Sequence, residues 1–208
     1  MKNFWRITLW LIGGGFLLLP QLGHAQSLEV MPGHEGVFLD VQFFKPVVSS
    51  HPSWTIFHRT RAQLDYEGNS DLLSAIYANY TTPWGPGLSV IGSVGNNGSQ
   101  SALGLHYFKV KGPWTIFALV AVNIEEDPRS SFFSILRYRP ALNDQWKLYS
   151  ALELYALGRF DESWFRIQRI RVGLDRWKFQ FGLAANLSQT GRPDGYNGNY
   201  GVFVRREF

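Results

Sequence analysis

The chain has 208 residues, a formal net charge of +4 and no cysteine, and its aromatic residues (16%) are nearly as frequent as its charged ones (17%). The lack of cysteine excludes disulfides, thiolate nucleophiles and cysteine metal sites. So many aromatic residues with so few charges are unusual in a soluble protein, and the length fits one domain of ordinary size.

The first 25 residues have the parts of a secretory signal peptide. Lys2 and Arg6 give the positive start, 7–19 is apolar, and we predict cleavage after Ala25. The alternative is a membrane anchor, but the apolar run is shorter than the roughly 20 residues of a helical span. Removing Lys2 and Arg6 lowers the basic residues from 20 to 18, against 16 acidic ones, so charge gives no case for nucleic acid as a partner.

After residue 25 the recurring pattern is alternation of apolar and polar residues, which predicts strands with two different faces. In "WTIFALVAVNI" the residues Trp114, Ile116, Val120 and Val122 share one face. The runs "WKLYSALELYAL" and "WKFQFGLAANL" alternate in the same way. Gly, Pro, Asn and Asp, which supply turn conformations, separate these runs.

Five tryptophans recur 30 to 32 residues apart, and each stands at the start of a strand-like run. In each run the tryptophan falls on the same alternating positions as the apolar residues, so it shares their face. They are Trp54, Trp84, Trp114, Trp146 and Trp177. This spacing fits one hairpin of two strands of roughly 10–13 residues. Tryptophan prefers the boundary between hydrocarbon and water, so we predict an outward-facing aromatic girdle. A soluble sandwich is the alternative, but its core does not need one tryptophan per hairpin at a fixed level.

This pattern resembles the transmembrane β-barrels of bacterial outer membranes, over residues 53–208 and the signal peptide. In those proteins the last strand commonly closes on a terminal Phe, with apolar residues at alternate positions before it. Phe208, Val204, Val202 and Tyr200 match, whereas Arg206 departs from the pattern. The resemblance implies the outer membrane of a Gram-negative bacterium, contact with its lipid, and recognition of Phe208 by the barrel assembly machinery.

The predicted fold is therefore all-β: an antiparallel, up-and-down transmembrane barrel of ten strands over 53–208, with twelve strands as the alternative. Residues 26–52 are then surplus, although "GVFLDVQFFK" alternates well. An even strand count is usual in bacterial barrels. In order of preference, this segment is predicted to be a plug in the lumen, a periplasmic segment, or one arm of a further hairpin.

If the tryptophans face lipid, the residues at the other alternating positions face the lumen, and many of these residues are basic. The predicted basic cluster consists of Arg59, Arg61, Arg137, Arg139, Lys147, Arg169 and Arg171, with Lys178 and Arg205 on the same parity. Fewer acidic residues share that parity: Asp65, Glu153, Asp175 and Glu207. Buried charges must be paired or hydrated. A paired network that fills a narrow lumen is the preferred interpretation, and an anion-attracting constriction is the alternative.

The predicted function is non-enzymatic: a structural protein or a subunit of a complex with other envelope proteins. The first alternative is a narrow channel for small anionic solutes. The second is a lipid-modifying enzyme, because known barrel enzymes include omptin proteases, outer-membrane phospholipases and lipid A acyl-modifying enzymes. Such chemistry needs a His near a carboxylate or a serine, and no partner for His58 or His106 is evident. We predict no catalytic residue, cofactor or metal site.

Overall fold

The computed structural model describes residues 26–48, 51–96, 98–125, 128–159, 165–191 and 195–208. The predicted signal peptide, 1–25, lies outside the described residues. Over the described ranges, no helix has the length and apolar character needed to cross a membrane.

The described residues form twelve antiparallel strands that close into one barrel. Each strand pairs with its neighbours in sequence, and β1 pairs with β12 to complete the ring. The predicted all-β antiparallel barrel is confirmed. The strands are β1 Ser27–Pro32, β2 Gly36–Val48, β3 His51–Asp65, β4 Ser70–Thr81, β5 Pro86–Gly95, β6 Gly98–Lys111, β7 Trp114–Asn123, β8 Ser130–Tyr138, β9 Lys147–Gly158, β10 Phe165–Arg176, β11 Phe179–Gln189 and β12 Tyr196–Glu207.

The preferred count of ten strands is wrong, and twelve, the alternative, is correct. The described residues of the segment 26–52 form part of the barrel wall, and not a plug or a periplasmic segment. This segment supplies β1 and β2, and β2 pairs with β3 from Gly36↔Asp65 to Pro46↔Thr55. The sequence obscured this hairpin because β1 has only six residues and neither strand begins with a tryptophan.

The two faces of the wall follow the alternation in the sequence. In β7, Leu119 and Ala121 are buried inside, whereas Val120 and Val122 between them are exposed outside. Large apolar side chains cover the exterior; Leu183, for example, is 71% exposed. A soluble protein would bury such a surface, whereas an apolar exterior is the usual outer face of a transmembrane barrel.

One hairpin turn differs from the sequence prediction. Trp177 and Lys178 have positive φ angles of 52° and 69°, the conformation of a two-residue type I′ hairpin turn. β11 therefore begins at Phe179 rather than at Trp177. The side chain of Arg176 lies over the Trp177 ring at 3.7 Å and over the Trp146 ring at 4.6 Å.

Closure through β1 can be tested by crosslinking, because the chain contains no cysteine. Val30 and Val204 are direct partners across the β1–β12 seam, so Val30→Cys with Val204→Cys places two thiols within disulfide range. We expect the folded double variant to form a disulfide in oxidant, read as a shift in gel mobility.

The matched control is Val30→Cys with Val202→Cys. Residue 202 lies two positions along β12, which is about 7 Å farther along the strand, so little crosslinking is expected. Equal crosslinking in both pairs, or none in the first, would contradict the seam.

Candidate functional site: the barrel lumen

The lumen is filled by side chains of two kinds on two sides of the barrel. Strands β4, β6, β7 and β8 contribute an apolar cluster of Ala75, Tyr77, Ala102, Leu119, Ala121 and Phe133. The opposite side contains a second apolar cluster of Met31, Phe38, Tyr149, Ala184 and Phe203. A network of arginines and carboxylates surrounds this second cluster.

Two glycines opposite the large rings of the second cluster lie where the backbones of β10 and β11 approach each other closely. Gly173 is the register partner of Tyr149, and Gly182 is the partner of Phe203. A Cβ at Gly173 would come within 2.0 Å of the Phe181 carbonyl oxygen. The inner wall can therefore have no side chain at this point, and both rings are almost completely buried beside it.

Glu153 is the centre of the charged network. Its Oε2 lies 2.6 Å from Nη1 of Arg59, and its Oε1 accepts hydrogen bonds from Arg61 at 3.2 Å and from Arg169. Arg59 also donates through Nε and Nη2 to Asp40, at 2.8 and 2.7 Å. This pair of parallel hydrogen bonds to the two oxygens of Asp40 fits the planar guanidinium of arginine and would not fit the point charge of lysine.

Glu29 in β1 is a second acidic centre. Arg171 donates to its Oε1 at 2.8 Å, and Nη1 of Arg205 lies 3.8 Å from its Oε2. The ring of Phe38 lies 4.9 Å from the Arg169 guanidinium and 5.8 Å from that of Arg171. The sequence prediction missed Glu29 and Asp40, because it assigned their segment outside the barrel wall.

A third group lies toward the end of the barrel where the tryptophans are. Arg139 donates to Asp175, with Nε at 2.8 Å from Oδ2, and to Glu207 at 3.0 Å. Arg137, the remaining predicted arginine, is half-buried and donates to the side-chain oxygen of Gln42 at 3.0 Å. Six of the seven residues of the predicted basic cluster are thus brought together inside the barrel.

Three other predicted lumen residues lie elsewhere. Lys147, the seventh member, is exposed at the start of β9, and Lys178 is exposed in the β10–β11 turn. Asp65 bonds within its own turn, where hydrogen bonds from the side chain and the backbone of Asn69 lower the pKa of its carboxyl. Alternation gives the face of a residue but not its level along the barrel, so rim and lumen positions look alike in the sequence.

Two cavities remain among these side chains. A central cavity of about 30 Å³ lies within the charged network, between Gln42, Arg137 and Tyr149. A larger one of about 220 Å³ lies nearer the opposite end from the tryptophans, with Arg61, Gln63, Gln100 and Tyr155 in its lining. The volume free of side chains is small at the level of the network.

Four of the five predicted girdle tryptophans are exposed: Trp54, Trp84, Trp114 and Trp177. Trp146 is half-buried, with its ring edge-on to Phe181. Trp54 packs on Tyr80 and Trp114 on Tyr138, with ring centroids 4.9 and 4.2 Å apart. Phe208 is 39% exposed, and its backbone N–H donates to Gln26. Its role in assembly stays a prediction.

Both candidate histidines have serine neighbours that the sequence did not reveal, because strand register brings them together. His106 is buried, with Ser89 and Thr81 each 2.8 Å from one ring nitrogen. The Ser89 hydroxyl, however, donates to Asn79 at 2.7 Å, whereas a nucleophilic serine donates to its histidine. This chain of polar groups therefore satisfies the hydrogen-bonding atoms of the buried side chains.

His58 lies on the outer face with Nε2 3.0 Å from the Ser74 hydroxyl, which in turn lies 3.0 Å from the Thr60 hydroxyl. In the described part of the chain, no carboxylate contacts the ring of His58 or of His106. The same part contains no group of three His, Cys, Asp or Glu side chains placed to hold a metal ion.

Comparison of the sequence with protein-family models and with curated proteins finds no match. Solved structures that match include the following two. A bacterial polysaccharide outer-membrane secretin is 11% identical, with a TM-score of 0.37 over 83% of this chain and 70% of that one. The β domain of the Bordetella autotransporter BrkA is 12% identical, with a TM-score of 0.40 over 88% of this chain and 96% of that one.

Removing the charge of Glu153 tests the network. Glu153→Gln keeps the shape of the side chain but leaves Arg61 and Arg169 without their carboxylate. We expect the free energy of unfolding to fall by about 3–5 kcal/mol, the usual cost of breaking a buried ion pair, measured by urea unfolding of protein refolded in lipid vesicles.

The control is Glu67→Gln, which makes the same change at an exposed turn residue and should alter stability by less than about 0.5 kcal/mol. A similar small effect for both variants would mean that the network does not stabilise the barrel.

Proposed function

We propose that this chain is an integral protein of a bacterial outer membrane with a structural role or a role as a subunit of an envelope complex. The apolar exterior supports the membrane location, since Leu105 and Leu183 at 67% and 71% exposure would be unfavourable in water. Closure supports it too, because a closed barrel leaves no unpaired strand edge in hydrocarbon. Its neighbours are then outer-membrane lipid, other envelope proteins and, during biogenesis, the barrel assembly machinery.

The filled lumen is the observation that best supports a non-conducting role. Glu153 and Asp40 tie arginines from β3 and β10 together across the interior, and the adjacent cavity measures about 30 Å³. Water-filled channels are typical of barrels with 16–18 strands, and smaller barrels are filled by side chains. A rigid, filled barrel suits a protein that anchors or supports a partner.

A narrow anion channel is the second candidate, and the excess of lumen arginines over carboxylates favours it. Arg137 has no carboxylate partner among the described residues, so the interior carries uncompensated positive charge. An anion moving through the lumen would need Arg59, Arg61 and Arg169 to release Glu153.

A lipid-modifying enzyme is the third candidate, and the contact between His58 and Ser74 on the outer face favours it. A histidine at hydrogen-bond distance from a serine is the arrangement that activates a nucleophile. Against it, the described residues provide no carboxylate that would orient the ring. We therefore assign these groups to packing between β3 and β4.

Conductance separates the first two candidates. The mature chain, refolded in detergent and inserted into a planar bilayer, is expected to give no steady openings, because the lumen is filled. Membrane extraction of the same preparation with alkaline carbonate serves as the control for insertion. Steady anion-selective openings that decrease when Arg59, Arg61, Arg137 and Arg139 are neutralised would establish the channel instead. A mature chain that stays monomeric in water without detergent would overturn the membrane assignment itself.

The enzyme candidate is tested by lipid mass spectrometry on outer membranes that contain the wild-type protein or His58→Ala. We expect the two lipid profiles to be the same, because His58 is assigned a packing role. Thr60→Ala is the matched control, since it removes a hydroxyl from the same cluster without touching the histidine. A lipid product that disappears with His58→Ala or Ser74→Ala and persists with Thr60→Ala would establish catalysis.

A further inference from the structure

The central cavity of the lumen carries more positive than negative charge. Five arginines but only three carboxylates line it, and the carboxylates are Glu29, Asp40 and Glu153. Four of the five arginines contact one of these three groups. The fifth, Arg137, bonds instead to the uncharged side chain of Gln42. With five arginines and three carboxylates, the lining has two more positive charges than negative ones.

Arg137 and Arg205 converge on the same neutral acceptor. Arg137 donates to Oε1 of Gln42 at 3.0 Å, and Arg205 donates to the same oxygen at 3.1 Å. The two guanidinium groups reach this point from β8 and β12, which are not neighbours in the barrel. Like charges this close repel strongly where water is scarce, and an amide oxygen supplies no compensating charge.

We propose that the central cavity binds one small monovalent anion, of the size of chloride, between Arg137 and Arg205. Arg205 is buried and Arg137 is half-buried, and a cation that loses hydration needs a counter-charge to offset the loss. The three carboxylates make their short contacts with Arg59, Arg169 and Arg171, whereas Arg205 comes no closer than 3.8 Å to Glu29. A cavity needs about 10–15 Å³ to hold one water molecule. The cavity of about 30 Å³ therefore accommodates a monatomic anion but not a tetrahedral oxyanion.

This inference goes beyond the proposed function, and the two can fail separately. A bound anion would offset one of the two excess positive charges in a barrel that does not conduct, so it predicts an effect on stability and none on conductance. A conducting barrel with anion-dependent stability would overturn the proposed role and keep the anion site.

The test is urea unfolding of the full mature chain in detergent, in sodium chloride and in sodium methanesulfonate of equal ionic strength. An anion that binds only the folded state raises stability with its concentration, so chloride should raise the unfolding midpoint. Crystals grown in sodium bromide should show an anomalous peak between Arg137 and Arg205. Equal midpoints in the two salts, or no peak, would overturn the proposal and leave water in the cavity.

Variants test whether Arg137 is responsible for the chloride dependence of stability. Arg137→Gln should lose the chloride dependence and, in methanesulfonate, should be at least as stable as the wild type, because it removes the uncompensated cation. Arg137→Lys should keep most of the dependence, since the charge remains. Lys147→Gln makes the same charge change at an exposed rim residue and should keep all of it. Chloride dependence that persists in Arg137→Gln would contradict the assigned site.

Discussion

Closure of the barrel is the constraint on which the rest of the structure depends. A strand edge in hydrocarbon would leave backbone N–H and C=O groups unpaired at several kcal/mol each. The six residues of β1 remove that cost by pairing with β2 on one side and with β12 on the other. The shortest strand of the described barrel is thus the one that closes its wall.

Closure and charge balance depend on the same segment. The inward residues of β1 and β2 include Glu29 and Asp40, which bind Arg171 and Arg59. Without these two carboxylates the lumen arginines would have far fewer counter-charges, and the desolvation cost of each would be uncompensated. A barrel made of 53–208 alone would therefore have both an open edge and an unbalanced interior.

The sequence predicted the faces of the wall well and its extent poorly. Alternation assigned Arg59, Arg171 and Glu153 to the inside because it depends only on the two-residue repeat of a strand. It could not decide the role of β1, where six residues give three inward positions. It also could not pair His58 with Ser74, because partners across a hairpin follow from register, which the sequence alone does not fix.

The distribution of polar and apolar groups inside the barrel favours packing of side chains over passage of a solute. On the β4–β8 side, Tyr77, Leu119 and Phe133 fill the interior as in a soluble core, and such an apolar surface offers no positive charge to an anion. On the other side, arginines bonded to Glu153 or Glu29 lie inside the barrel. Moving a solute would break several buried ion pairs at once, each costly to break on its own. The bond between Arg59 and Glu153 joins β3 and β9, which lie on opposite sides of the ring, so the network that occupies the lumen also links opposite walls of the barrel.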